Sequence, residues 1–186
     1  MTRPMKHMTL NVTLLAAVYA ALWAVQATEP ARDVALDLGE CEASATQVDY
    51  AAMCDKTPPA GLNDMILKAA HEYQVDPTIL ASTVYRESKC DKNALGTSGE
   101  IGLGQVHPKV WLEDLKEHGI LKREKDLYKP LTNLRASAYI LSTLAHRADT
   151  ARDLFRMYNG SGKQAHKYAD EQMVAYRETW GKTPEI

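Results

Sequence analysis

Ile79-Leu80-Ala81-Ser82-Thr83-Val84-Tyr85-Arg86-Glu87-Ser88-Lys89 is the stretch on which the fold turns, and Ser98-Gly99-Glu100-Ile101-Gly102-Leu103-Gly104-Gln105 follows it closely. Ile79, Leu80, Thr83 and Val84 recur at helical spacing, which sets Glu87 on or beside the buried stripe near the end of a core helix. Desolvation disfavours the anion there, raises the carboxyl pKa and makes the group a usable general acid near neutral pH. A Glu in the last turn of a helix is more often a solvated surface residue. Glu87 is therefore a candidate whose weight depends on what accompanies it.

Working outward, the chain from residue 61 onward reads as almost wholly helical. Leu62, Met65, Ile66, Ala69, Ala70 and Tyr73 form one apolar stripe that ends near Gln74-Val75. Asp76 is placed to cap, and Pro77 to open, the helix that carries Glu87. Glycines at 96, 99, 102 and 104 forbid a regular helix between 91 and 107 and call for backbone packed close to another segment or a ligand, with short strands allowed there. A helix resumes over 108–117, and a polar, Lys-rich connection follows over 119–130. Leu131, Leu134, Ala138, Leu141 and Leu144 line the next helix. Another begins at Ala151 after Asp149 or Thr150 and stops at Tyr158-Asn159-Gly160, where Gly160 suits a left-handed cap. A last helix occupies about 164–180.

With 186 residues, 45% hydrophobic and 25% charged, the chain can bury one core and is most simply one domain with an N-terminal appendage. Its formal charge of −2 lacks the basic footprint of a nucleic-acid binder. Gly-rich phosphate loops and paired Cys/His metal spacings are absent, so neither a nucleotide nor a metal is expected and no cofactor is assigned. Arg3 and Lys6 precede an uncharged run from Met8 to Gln26, and Val25-Gln26-Ala27 offers the small residues of a signal-peptidase site. Residues 1–27 are thus assigned to an export signal, with an uncleaved membrane anchor as the alternative. Residues 28–60 have the composition of a flexible arm, with a short helix allowed over 31–38 and a boundary at Pro58-Pro59-Ala60-Gly61. Residues 61–182 form the domain proper. Of the three cysteines, Cys54 pairs with either Cys90 or Cys41 in an oxidising compartment, and the sequence does not choose.

Glu87-Ser88, then Ser98-Gly99-x-x-Gly102-Leu103-x-Gln105, then Asn133-Leu134, then Tyr158-Asn159-Gly160, in this order and spacing, resemble the soluble-type (SLT-domain) lytic transglycosylases, which share the goose-type lysozyme fold. The likeness spans roughly residues 62–180. It implies a mainly α, lysozyme-like fold of the α+β kind: a single compact helical domain with a Gly-rich loop or short strands in its cleft. It also implies cleavage of the MurNAc-β-1,4-GlcNAc bond of peptidoglycan. Three departures stand out: Gly104 takes the place of a usual Met, Glu100 replaces a common small residue, and Ser137 and Ile140 stand where Gly and Tyr are usual. No substrate role is carried over to the helix of Asn133.

Breaking a glycosidic bond needs a proton for the leaving oxygen and a means of stabilising positive charge at the anomeric carbon. Glu87 answers the first need and no second carboxylate is evident, which fits attack by the substrate's own N-acetyl carbonyl. The resemblance then has Glu87 act as base on the muramyl C6 hydroxyl, closing a 1,6-anhydro ring. Ser88 either caps its helix or hydrogen-bonds to Glu87. Gly102, Leu103 and Gln105 belong to the substrate-positioning loop, Gln105 supplying a donor and an acceptor suited to an N-acetylated sugar. Tyr158 and Asn159 read as a core aromatic and a helix cap; the resemblance instead brings Tyr158 to the catalytic carboxyl and Asn159 to the groove floor. His107 and Trp111 are read as structural. The expected partner is the glycan strand, acted on by a monomer outside the cytoplasm, in the periplasm or cell envelope, with a secretion, conjugation or phage assembly apparatus as a further candidate. A lysozyme-type hydrolase and a non-catalytic glycan binder are the alternatives.

Overall fold

The computed structural model describes residues 48–186. The expected export signal, the 31–38 helix and Cys41 lie outside the described residues. Six α-helices make up the body: α1 Leu62–Glu72, α2 Pro77–Ser88, α3 Pro108–Glu117, α4 Pro130–Ala145, α5 Ala151–Asn159 and α6 Gly162–Trp180. Short 3-10 turns occupy Tyr50–Met53 and Glu124–Tyr128. Among the described residues no helix is long and apolar enough to cross a membrane.

Helix α2 is the hub. The Asp76 carboxylate accepts from the Thr78 N–H at 2.7 Å and Pro77 opens the first turn, as their residue types demand. Ile79, Leu80, Ala81, Ser82, Thr83 and Val84 are all buried, so the helix has little solvent face over these turns. Helix α6 packs against it and is pinned by polar contacts at three levels. Tyr176 and Thr78 share a hydroxyl hydrogen bond, and the Trp180 indole donates to Ser82 Oγ at 2.7 Å. Further along, Arg86 pairs with Glu171 and lies over the Tyr168 ring, 5.2 Å from its centroid. Helices α1 and α4 close the opposite side through Ile66, Ala69, Leu134 and Leu141.

One alternative is resolved and three expectations change on contact with the structure. The 91–107 stretch contains no strand; it is a loop cinched by antiparallel single-residue bridges, Leu95 with Ile101 and Ile101 with Val106. The 119–130 connection is not simply polar, because Leu121 and Leu127 are buried beneath it. Gly160 ends α5 at φ 123°, ψ −128°, a glycine conformation outside the left-handed helical region. The last part of the expected arm is tied down: Tyr50 is buried against Trp180, and Cys54 is bonded to Cys90. That disulfide resolves the pairing left open by sequence.

The loop is held from below by one side chain. Asn133, buried in the first turn of α4, donates Nδ2–H to the Ile101 and Leu127 carbonyls, both at 2.8 Å, and its Oδ1 accepts from the Gly104 N–H at 2.8 Å. Gly102, at φ 76°, is needed for this approach, since a Cβ there would lie 2.4 Å from Asn133 Nδ2.

Two stability changes are expected. Cys90→Ser opens a covalent loop whose ends are 36 residues apart, and should lower stability by about 2–4 kcal/mol in thermal or urea unfolding, with the same loss in the parent on adding reductant. Asn133→Ala strands two carbonyls and one N–H in the interior. It should lower stability by about 2–4 kcal/mol and remove hydrogen-exchange protection at the Gly104 amide, read by urea unfolding and by exchange mass spectrometry.

Candidate active site

Glu87 lies in the last turn of α2, where the helix leaves the core and the chain turns at Lys89 and Cys90, both with positive φ. Its side chain opens into a cleft of about 450 Å³. One wall is the Gly-rich loop, with Gly96, Thr97, Glu100 and Gln105, continuing into His107, Val110 and Trp111 at the start of α3. The other is the end of α5, Met157 to Gly160. Other hollows among the described residues, around Pro58-Pro59 and beside Asp76 and Ile186, lie apart from Glu87. The candidate site is therefore chosen by its chemistry.

Burial pushes the Glu87 carboxyl up to about 7, against the opposing effects of a Tyr168 hydrogen bond and the Arg86 charge. Tyr168 Oη donates to Glu87 Oε1 at 2.6 Å. Burial first, and the Glu87 charge next, hold the Tyr168 phenol well above its ordinary range, so it stays a donor. Glu100 adds a like charge that raises Glu87 further. Burial pushes Glu100's own carboxyl up, but backbone N–H donors, including Ser98 at 3.0 Å, outweigh it and keep the group low. The cleft thus holds two carboxyls with separate characters. One is protonated over much of the neutral range and the other is ionised.

The expected site residues do not all reach the cleft. Glu87, Gln105, Tyr158 and Asn159 line it. Gln105 turns at φ 47° and directs Nε2–H to the Ala94 and Gly102 carbonyls at 3.2 and 3.1 Å, leaving Oε1 as the side-chain atom free to meet a ligand. Tyr158 Oη donates to the Gly104 carbonyl at 2.8 Å; its nearness to Glu87 shows in the effect of that charge on its phenol, which burial has already raised. Ser88 neither caps the helix end nor bonds to Glu87, because its hydroxyl donates to the Val84 carbonyl one turn back at 3.1 Å. Leu103 is fully buried and Gly102 is buried beside Asn133, so both position the loop and do not touch a ligand. Gly104 has no room for a side chain: a Cβ would lie 1.9 Å from Ser137 Oγ and 2.9 Å from Tyr158 Oη.

Sequence reasoning missed Tyr168 and much of the cleft lining. Tyr168 was indistinguishable from the apolar stripe of α6, and its partner lies 81 positions away. His107 and Trp111, read as structural, line the cleft, as does Glu100. The available signal was their proximity in sequence to the Gly-rich loop. Among the described residues no group of His, Cys, Asp and Glu side chains is arranged to hold a metal ion.

Chemically, the arrangement offers a proton donor of near-neutral pKa, held in one orientation by a neutral phenol, in a cleft whose Gly-rich loop carries an ionised carboxylate. Comparisons with known proteins bear on the fold and the family. The model of the transglycosylase SLT domain matches residues 64–179, which is more than half of the chain. Among solved structures, the chain is similar to an inactive mutant of the lytic transglycosylase Slt from Pseudomonas aeruginosa, at 17% identity and a TM-score of 0.56. That match takes in 68% of this chain and 25% of the other, so the chain spans about a quarter of that protein's length. No curated protein matches it. With a mainly helical body and a family match running from the first helix to the last, the chain belongs to the SLT-domain transglycosylase family.

Proposed function

We propose that the protein is a peptidoglycan lytic transglycosylase that cleaves the MurNAc-β-1,4-GlcNAc bond and leaves a 1,6-anhydro-MurNAc end. The observation that carries this reading is Glu87, a carboxyl raised to about 7 and fixed by Tyr168 at 2.6 Å inside a cleft of about 450 Å³. Protonated Glu87 delivers its proton to the glycosidic oxygen as the C–O bond breaks. The N-acetyl carbonyl of the same muramyl residue attacks C1 and carries the positive charge. The Glu87 carboxylate then takes the proton of the C6 hydroxyl as that oxygen bonds to C1 and the acetamido group is released. Glu87 ends protonated, and no water is consumed. Tyr168 serves both half-reactions, because a phenol donor stabilises the carboxylate between them.

Glu100 favours a second reading. An ionised carboxylate on the facing wall is suited to activate a water at C1, which would make the product a reducing sugar, as in a lysozyme-type hydrolase. Mass spectrometry of products from purified sacculi separates the two: anhydro ends support transglycosylation, and reducing ends alone overturn it. The basic and apolar N-terminal sequence and the Cys54–Cys90 bond support action outside the cytoplasm, in the periplasm or cell envelope. Peptidoglycan strands are the proposed substrate, and a secretion, conjugation or phage assembly apparatus the proposed setting.

Glu87→Gln keeps shape and hydrogen bonding but cannot deliver a proton, so turnover of sacculi should fall at least ~100-fold. The folded state holds a proton on Glu87 that the unfolded chain releases between pH 4.5 and about 7, so stability falls as pH rises through that window. Glu87→Gln does not titrate. Its advantage in unfolding free energy should be small at pH 4.5 and grow to roughly 2–3 kcal/mol above pH 7, read by urea unfolding across that range. Activity of the parent should decline above pH 7 as the acid form is lost. Tyr168→Phe removes the donor that favours the carboxylate, so the alkaline limb of its pH–rate profile should move to higher pH; a limb that stays in place would show that Tyr168 does not act on Glu87.

A further inference from the structure

Arg86 stands between the two members of the acid–donor pair. It directly precedes Glu87 on α2, and its guanidinium carbon lies 5.2 Å from the centre of the Tyr168 ring, whose hydroxyl donates to Glu87. The same guanidinium pairs with Glu171, which follows Tyr168 by one turn of α6. Lys167 also reaches Glu171, at 3.7 Å. Its hydrogen bond to Arg86 holds the Glu171 carboxyl below its ordinary range, so Glu171 is ionised wherever Glu87 titrates. Glu171 does not line the cleft, and its side chain is 43% exposed.

The other groups around Glu87 have separate commitments. Tyr158 on α5 gives its hydroxyl hydrogen to Gly104, Glu100 on the loop accepts from the Ser98 N–H, and His107 lines the cleft and acts on Glu100. Lys89, two positions after Glu87, lies over the Tyr85 ring at 3.7 Å. Against the rise that burial causes, the Tyr168 hydrogen bond and then the Arg86 charge pull the Glu87 carboxyl down. We propose that Arg86 is a positioning residue that clamps the Tyr168 ring onto Glu87, and that Glu171 governs the acid from outside the cleft by partly neutralising that guanidinium. The inference rests on Glu87 as the acid of the proposed reaction and adds two residues to its control. A guanidinium suits both tasks, because its plane covers an aromatic face while its N–H groups meet a carboxylate. Its field at Glu87 depends on how much of its charge Glu171 offsets, and solvent at the exposed end keeps the effect modest.

The test titrates Glu87 directly, by carbon-13 NMR of protein labelled at the glutamate carboxyls, with Glu87→Gln assigning the signal. Arg86→Met keeps an unbranched stem against the ring and removes the charge, so the Glu87 midpoint should rise by about half a pH unit or more. Glu171→Gln keeps an acceptor for Arg86 and removes the counter-charge, so the midpoint should fall by about half a pH unit. The alkaline limb of the kcat/KM profile should follow each variant. Arg86→Lys retains the charge without the stacking plane, and should return the midpoint toward the parent value while kcat stays reduced. A role confined to holding α2 and α6 together does not move the two midpoints in opposite directions. Midpoints that move together, or stay in place, overturn the proposal. Should Arg86→Met not fold, Glu171→Gln decides alone: a midpoint unchanged or raised overturns it. Opposite shifts in a protein that releases no sugar product from sacculi leave this coupling standing and overturn the proposed reaction. Anhydro products with unmoved midpoints do the reverse.

Discussion

A carboxyl group cannot be desolvated and kept ionised without compensation, and that constraint organises this protein. Helix α2 is buried over most of its length, so its final turn delivers Glu87 to the edge of the core with its charge disfavoured. Tyr168 supplies one hydrogen bond, enough to fix the rotamer and too little to restore an ordinary carboxylate. The helix that carries Tyr168 is in turn fixed to α2 by Thr78–Tyr176, Ser82–Trp180 and Arg86–Glu171. The acid and the donor that tunes it are therefore set by one helix–helix interface, in which polar contacts fix the register and apolar packing supplies the stability.

The facing wall is built on the opposite principle. Its loop has no ladder of its own beyond two single-residue bridges, and takes its shape from Asn133, which joins three backbone groups of the connection at once. An amide is the side chain for this task because it donates and accepts in one plane. A buried polar centre that is fully satisfied specifies one arrangement, whereas apolar residues in its place would tolerate several.

Much of this was legible in the sequence. Helix positions followed from the apolar spacing and from Asp76-Pro77, and Glu87 from its place at the end of the buried stripe. What could not be read was anything decided by two residues distant in the chain. Tyr168 looks like core in a helical stripe, and only the packing of α6 on α2 turns its hydroxyl to Glu87. Ser88 beside a catalytic carboxyl invites a direct role, yet the backbone carbonyl of Val84 is nearer and claims it. The choice between Cys41 and Cys90 as partner of Cys54 needed the Cα–Cα separation of 5.6 Å, which no spacing rule supplies. His107 and Trp111 were read as structural because nothing in a local pattern distinguishes a helix start that faces solvent from one that faces a cleft.

Gly104 and Ser137 carry a consequence for how such a site changes over time. The smaller residue of the pair stands on the loop and the hydroxyl-bearing one on α4. The hydroxyl of Ser137 occupies the space a side chain at 104 would need, with 1.9 Å between Oγ and the nearest added carbon. The two positions form one steric unit, so a larger residue at 104 is admissible only on a background where 137 has already become smaller. A substitution at either position is therefore read through the other, and this part of the cleft changes shape only when the pair changes together.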